Sequence, residues 1–349
     1  MATSTLFTRL YLDRETLPRR TRLSITFGAV ATLHAAAVVL LLTGFMGDGA
    51  QPLALGLVLT AYLAGIKHSY DWDHLAAIDN ATRRFVAQGK DPVSVGFAFS
   101  LGHSTVVFLA GVLLISGASL VSTWMEDGTT GNLVLGLIGS GVSGLFLLAM
   151  GLFNGAAFVQ ATRLYRSSAN NADIALEDLE AKGLVARLLA RPLSKVRHPR
   201  NIYVIGFLFG LGFDTATTIG LLVMTTAAAL AGVPPLTLLA LPLAFTAAMT
   251  LFDSLNGVAV LTMYRSALQN PRRKLGFNAV ITGISAVSAL FISCITLGGF
   301  LNAALGLDDP LTTWLGTVDL GEAGLLLAGT LLVVWGVAVL RSRRGARRA

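Results

Sequence analysis

Two imidazoles and three carboxylates lie close together between residues 65 and 80, inside an otherwise apolar stretch of the chain. His68, Asp71 and His74 are three residues apart, so at about 100° per residue they would share one face of a helix. Asp73 lies off that face and could join only if the helix tightened or unwound locally, or it could orient a ligating histidine. An Asp at the bilayer centre costs about 2.5–3.5 kcal/mol, so such groups usually face a cavity, a partner or an ion pathway.

Three further side chains of the same chemistry occur in later apolar stretches, namely His103, Asp214 and Asp253. Small residues flank His103 and would let another helix approach, so we expect it to face the first cluster rather than serve a structural role. Asp214 and Asp253 each lie beside hydroxyl residues. Either could cap a broken helix, but together with the first carboxylates they favour a shared cation site.

The candidate ligands are three histidines and four aspartates: His68, Asp71, Asp73, His74, His103, Asp214 and Asp253. This set contains no thiolate, and the single cysteine of the chain, Cys294, excludes an internal disulfide and a thiolate cluster. Imidazole suits Ni, Co, Zn, Cu(II) and Fe, whereas a site of oxygen ligands alone suits Mg or Ca. The set therefore favours a first-row divalent cation, and geometry would have to select Ni or Co over Zn.

Three other features have simpler interpretations. His34, alone in an Ala, Val and Leu background, is more typical of a hydrogen bond between helices than of a ligand. The GxGxxG pattern at residues 139–144 follows no strand, so close helix packing explains it better than a dinucleotide site. Asp79, next to Arg83 and Arg84, is expected to be a solvated residue where its helix leaves the membrane.

The composition indicates an integral membrane protein, because only 13% of the 349 residues are charged and 54% are hydrophobic. A soluble domain has about a quarter of its residues charged. Stretches long enough to span a bilayer occur near residues 23–46, 53–78, 93–117, 133–160, 201–231, 236–263, 277–303 and 321–340. The first of these is a full span, so no cleavable signal peptide is expected.

The basic residues alternate between connections. All of the 26 Lys and Arg residues except Lys67 lie in the two termini and in the second, fourth and sixth connections. The other connections carry acidic residues or no charge. By the positive-inside rule both termini are cytoplasmic and the number of spans is even. This distribution also explains the net charge of +7 without nucleic acid.

We therefore predict an all-α, polytopic membrane protein with eight transmembrane helices. It would form one integral membrane domain over residues 1–349, with a cytoplasmic loop at about 161–200. Helices 2 and 3 and helices 5 and 6 each carry a polar cluster and cross in opposite senses, which favours an inverted repeat. The bilayer and a divalent metal substrate are the expected partners, with no nucleotide and no cofactor. Composition suggests a bacterial inner membrane.

Four blocks of the sequence resemble the nickel/cobalt transporter family (NiCoT), whose members are eight-helix bacterial permeases. The HxxxxDH signature of that family in helix 2 matches residues 68–74, and its helix 3 block FSLGHSTVV matches residues 99–107. Its helix 5 block LGFDTATE matches residues 211–217, and its helix 6 motif is similar to residues 249–257. The blocks occur in the order found in the family.

This resemblance implies import of Ni²⁺ or Co²⁺, with His68, Asp73 and His74 binding the metal and His103, Asp214 and Asp253 contributing. Thr218 and Asn256 stand where the family usually has Glu and often has a second Asp. These two departures bear on metal preference and on proton coupling.

Three alternatives to import are open. Related exporters tend to carry a His-rich cytoplasmic stretch, whereas the loop at 161–200 contains only His198, which favours uptake. An intramembrane metalloenzyme would use the same ligands, but the chain lacks HExxH and an obvious nucleophile pair. A metal sensor would be expected to carry an attached cytoplasmic domain.

Overall fold

The computed structural model describes residues 16–45, 51–116, 129–167, 198, 201–211, 216–230, 232–265, 271–318, 329–330, 333–334 and 336–337. Within these ranges the chain is helical and contains no strand. The principal helices are α1 (Arg19–Phe45), α2 (Gln51–Ser69), α3 (Trp72–Ala87), α4 (Val95–Ile115), α5 (Thr130–Ser167), α6 (Ile202–Gly210), α7 (Ala216–Leu230), α8 (Pro235–Leu238), α9 (Ala240–Arg265), α10 (Pro271–Leu305) and α11 (Pro310–Thr317).

In the part of the chain that the structure describes, five helical stretches are long and apolar enough to cross a membrane. They are Arg19–Thr43, Val95–Ile115, Gly136–Arg166, Pro235–Met263 and Ala279–Leu305. They correspond to predicted helices 1, 3, 4, 6 and 7 and support a multi-pass membrane protein. Most of predicted helix 8 and nearly all of the loop at 161–200 lie outside the described residues.

Predicted helix 2 is not one continuous helix. α2 ends at Ser69 and α3 begins at Trp72, so the span predicted over residues 53–78 is interrupted in its C-terminal half. Asp71 has extended backbone angles, φ −61° and ψ 142°, which a helix cannot contain. The backbone N–H groups of Tyr70 and Asp71 bond to carbonyls three residues earlier, at 3.0 Å each, as in a tightened last helical turn. The single helical face proposed for His68, Asp71 and His74 is therefore wrong.

The helix α9 lies at the centre of the described structure and packs against α1, α2, α3 and α4. Its side chains Leu241, Phe245 and Met249 are fully buried, together with Val107 of α4. α4 also packs against α6, and α10 packs against α5 and α11. The polar ends of α2 and α3 therefore point into a volume bounded by α4 and α9.

A second buried polar cluster ties α3 to α10, and it corrects the prediction that Asp79 is solvated. Asp79 is 3% exposed. The Arg83 guanidinium donates to Thr282 Oγ1 and to Ser285 Oγ, each at 2.6 Å, and lies 3.4 Å from Asp79 Oδ2. Ser285 also donates to Asp79. A buried charge needs a partner, and Asp79 and Arg83, one helical turn apart, are partners for each other. This part of α3 is therefore enclosed in protein and not exposed to water.

Candidate metal centre

Three buried histidines from three helices meet at the interruption between α2 and α3. His68 comes from the last turn of α2, His74 from the first turn of α3, and His103 from the middle of α4. Their ring centroids are 4.5, 4.9 and 4.7 Å apart, and one ring nitrogen of each lies within 4.8 Å of the others. We call these three residues the histidine triad. This spacing suits three nitrogen ligands around one cation.

A carboxylate fixes the ring of His68. Its Nδ1 donates to Asp71 Oδ2 at 2.7 Å, and its Nε2 lies 2.9 Å from Nε2 of His103. Because the proton of a neutral His68 is then on Nδ1, its Nε2 presents a lone pair toward His103. A cation bound by both Nε2 atoms would take the place of the proton that otherwise lies between them.

A second carboxylate holds the ring of His74. Its Nδ1 lies 3.2 Å from Asp253 Oδ2, which α9 supplies, and both side chains are 0% exposed. Among the described residues, the Nε2 of His74 has no hydrogen-bond partner. Histidines that bind metals usually donate their other ring N–H to such a carboxylate, which fixes the tautomer and raises basicity. The ring of His74 is therefore oriented with its Nε2 free to bind.

The predicted site residues take different positions around the triad. Asp71 and Asp253 contact histidine Nδ1 atoms, as described above. Asp73 is half-buried, and its Oδ1 accepts from the backbone N–H of His74 at 2.9 Å. Asp214 lies outside the described residues. Among the described residues the structure gathers imidazoles, and no carboxylate, in the compact ligand group. The role of the carboxylates as metal ligands stays a prediction.

His34 has the structural role that its sequence context favours. Its Nδ1 donates to the carbonyl of Val30 at 2.8 Å, and its Nε2 lies 3.1 Å from the hydroxyl of Tyr62. It therefore links α1 to α2 outside the triad. Of the two departures from the family pattern, Thr218 is buried and Asn256 is half-buried.

Sequence reasoning missed two residues that pack against the triad. The Phe99 ring lies 4.9 Å from that of His74, and the Phe245 ring lies 5.4 Å from that of His68. Phe99 precedes His103 by one helical turn, a spacing that places both on one face of α4 and could have pointed to it. For Phe245 the sequence contained no such local signal.

Known proteins are similar to this chain over most of its length. It is 37% identical over 328 residues to the nickel transporter NicT of Mycobacterium tuberculosis, covering 91% of this chain and 88% of that protein. It is 35% identical to the high-affinity nickel-transport protein NixA of Helicobacter pylori strain J99, over 88% and 93% of the two chains. The cobalt transport protein NhlF of Rhodococcus rhodochrous is 34% identical, over 93% of both chains.

No solved structure is significantly similar to the chain. The relatives are named as transporters and not as enzymes, which removes the support for an intramembrane metalloenzyme. Residues 54–341 match the family described as high-affinity nickel-transport protein. That match includes all of the triad and its carboxylates, so the chain belongs to the NicO family of nickel-transport proteins.

Proposed function

We propose that the chain is a secondary transporter that imports Ni²⁺, Co²⁺ or both across the bacterial inner membrane. The observation that carries this proposal is the histidine triad, three buried imidazoles at an interrupted helix. Non-helical backbone at membrane depth is tolerated where it is enclosed in protein or lines a cavity, and it commonly contributes to transported-ion sites. The names of the relatives favour nickel and cobalt as the transported ions.

The ligand chemistry supports a nitrogen-binding dication. Imidazole is a good ligand for Ni and Co, and His68 and His74 each have one ring nitrogen occupied by a carboxylate, which leaves Nε2 for the metal. In this proposal Asp71 and Asp253 set the orientation of the rings. Asp73 and Asp214 are the remaining candidates for oxygen ligands along the path, and the cation is the substrate, with no further cofactor.

The membrane potential can drive import without a nucleotide. It contributes about 2.3 kcal/mol per charge per 100 mV, hence about 4.6 kcal/mol for a dication, which corresponds to roughly a thousandfold accumulation. The basic residues in alternate connections support cytoplasmic termini and eight spans in one domain. Import would thus follow the membrane potential toward the cytoplasmic side, where the basic residues of the chain are expected to lie.

We also propose an inverted repeat that relates α2, α3 and α4 to α6, α7 and α9. In the first unit Gly65 precedes Asp73 by eight residues, and in the second Gly206 precedes Asp214 by eight residues. The two glycines make corresponding contacts, Gly65 with the backbone of Phe245 and Gly206 with the backbone of Phe99. Each first helix therefore crosses the last helix of the other unit at a phenylalanine, as expected for two interlocked repeats.

The test is accumulation of ⁶³Ni²⁺ and ⁵⁷Co²⁺ at trace concentration in cells that express the chain. A His68→Ala variant removes one member of the triad, and a His198→Ala variant removes a histidine outside it. Uptake that requires His68 and tolerates loss of His198 supports an importer that uses the triad. Faster loss of preloaded label would support the export alternative, and no transport in either direction would contradict the proposal.

A further inference from the structure

Two phenylalanine rings enclose the histidine triad. The Phe99 ring meets that of His74 edge-on, with 4.9 Å between centroids and an angle of 86°. The Phe245 ring is tilted by 36° over that of His68 at 5.4 Å. Both rings are 0% exposed. A cation at the triad would therefore contact hydrocarbon on the sides that these rings occupy, and water would have no room there.

The two rings are held in place by the backbone. A Cβ on Gly206 of α6 would collide with the carbonyl oxygen of Phe99, and a Cβ on Gly65 of α2 would collide with that of Phe245. Only glycine allows helices to approach so closely. Phe99 also packs edge-on against Phe209, with centroids 5.3 Å apart. The backbone that carries each ring therefore cannot move away from the triad without displacing a neighbouring helix.

Enclosure of this kind acts differently on different cations. Mg²⁺ gives up its water reluctantly and usually retains several water ligands, and Mn²⁺ likewise prefers water and carboxylate oxygen. Ni²⁺ and Co²⁺ accept imidazole in exchange for water. A water-poor site made of imidazoles and walled by aromatic rings therefore discriminates against cations for which imidazole compensates poorly for lost water. These are Mg²⁺, which holds its water tightly, and Mn²⁺, which is lowest in the Irving–Williams order of affinity.

We propose that Phe99 and Phe245 determine specificity by excluding water ligands from the triad, and so reject Mn²⁺ and Mg²⁺. This inference rests on the proposed transport function. The rings do not bind the metal, and they restrict the number of ligands that can accompany it. Widening either wall should admit a hydrated cation before it abolishes transport of Ni²⁺.

The experiment measures the Mn²⁺ concentration that halves ⁶³Ni²⁺ uptake, together with direct uptake of ⁵⁴Mn²⁺. The variants are Phe99→Leu and Phe245→Leu, each of which removes a ring but keeps an apolar side chain. The matched control is Phe85→Leu, because Phe85 is equally buried and its ring lies near the ammonium group of Lys90 instead of the triad. Abundance in the membrane is measured for each variant, and a position whose Leu variant does not accumulate is tested as Met.

We expect the half-inhibiting Mn²⁺ concentration to fall about tenfold in the two wall variants, a typical effect of removing a small part of an apolar pocket wall. The control should behave as the unmodified chain. Mn²⁺ inhibition that is unchanged in both wall variants, while Ni²⁺ uptake persists, would overturn the inference and leave the proposed function intact. Absence of both ⁶³Ni²⁺ and ⁵⁷Co²⁺ uptake in the unmodified chain would instead overturn the proposed function, and the inference with it.

Discussion

Replacing Asp253 by Asn tests whether the carboxylates of the site act through the histidines. Asp253 Oδ2 lies 3.2 Å from Nδ1 of His74, and both side chains are fully buried. Asparagine has nearly the same shape, so the core should stay packed. However, a neutral amide is a weaker acceptor than a carboxylate and holds the imidazole in the ligating tautomer less firmly.

The size of the effect follows from this geometry. Loss of the partner of a metal-binding histidine costs about 10–100-fold in affinity, which corresponds to about 1.4–2.8 kcal/mol. At 3.2 Å the contact with His74 is at the long end of the range of N–H···O hydrogen bonds. We therefore expect about a tenfold loss for Asp253→Asn. The Asp71 contact with His68 is shorter, at 2.7 Å, so Asp71→Asn should cost more.

The assay is equilibrium binding of ⁶³Ni²⁺ to the purified protein in detergent, followed by the concentration dependence of uptake in cells. Ser254→Ala is the control, because Ser254 is the buried neighbour of Asp253 and its hydroxyl donates to the Thr250 carbonyl of the same helix. Unchanged affinity in Asp253→Asn would refute the orienting role. Complete loss of binding would show instead that Asp253 ligates the metal directly.

Three other predictions concern stability and pH. Arg83→Leu removes the Arg83 guanidinium from the buried Asp79 carboxylate, so the free energy of unfolding should fall by about 3–5 kcal/mol; an unchanged melting temperature in detergent would contradict this. Metal affinity should decrease in acid, because protonated imidazole cannot ligate, and equilibrium binding at several pH values measures it. At the start of α11 the Thr312 hydroxyl, with backbone N–H groups, lowers the pKa of Asp309, so this cap stabilises at neutral pH and is lost as pH falls through the lowered pKa. Amides of α11 should exchange faster in acid, and Asp309→Asn, which caps without a charge, should remove that pH dependence.

Much of the site could be predicted because ionisable residues are rare in apolar stretches. His68, His74 and His103 stood out from their surroundings by type alone, and the triad includes all three. Their arrangement could not be predicted in the same way. The 2.9 Å contact between His68 and His103 joins residues 35 apart in sequence, and the contact between His74 and Asp253 joins residues 179 apart. Spacing along one helix contains no information about such contacts.

Two predictions from the sequence were wrong because they used only local pattern along the chain. A regular helix over residues 53–78 was expected from hydropathy, but hydropathy does not detect the extended backbone at Asp71. Asp79 was expected in water because charged residues usually mark a helix end. Its burial depends on Arg83, Thr282 and Ser285, two of which come from a helix about 200 residues away in the chain.

The sequence by itself determined the chemistry available to this protein. It specified imidazole and carboxylate side chains as candidate ligands, an apolar chain suited to a bilayer, and a charge distribution that predicts its orientation. The tertiary structure decided which ligands meet, which carboxylate holds which imidazole, and which rings enclose them. The physical reason is that residue type sets what a side chain can bind, whereas helix packing alone sets the distance between side chains far apart in sequence.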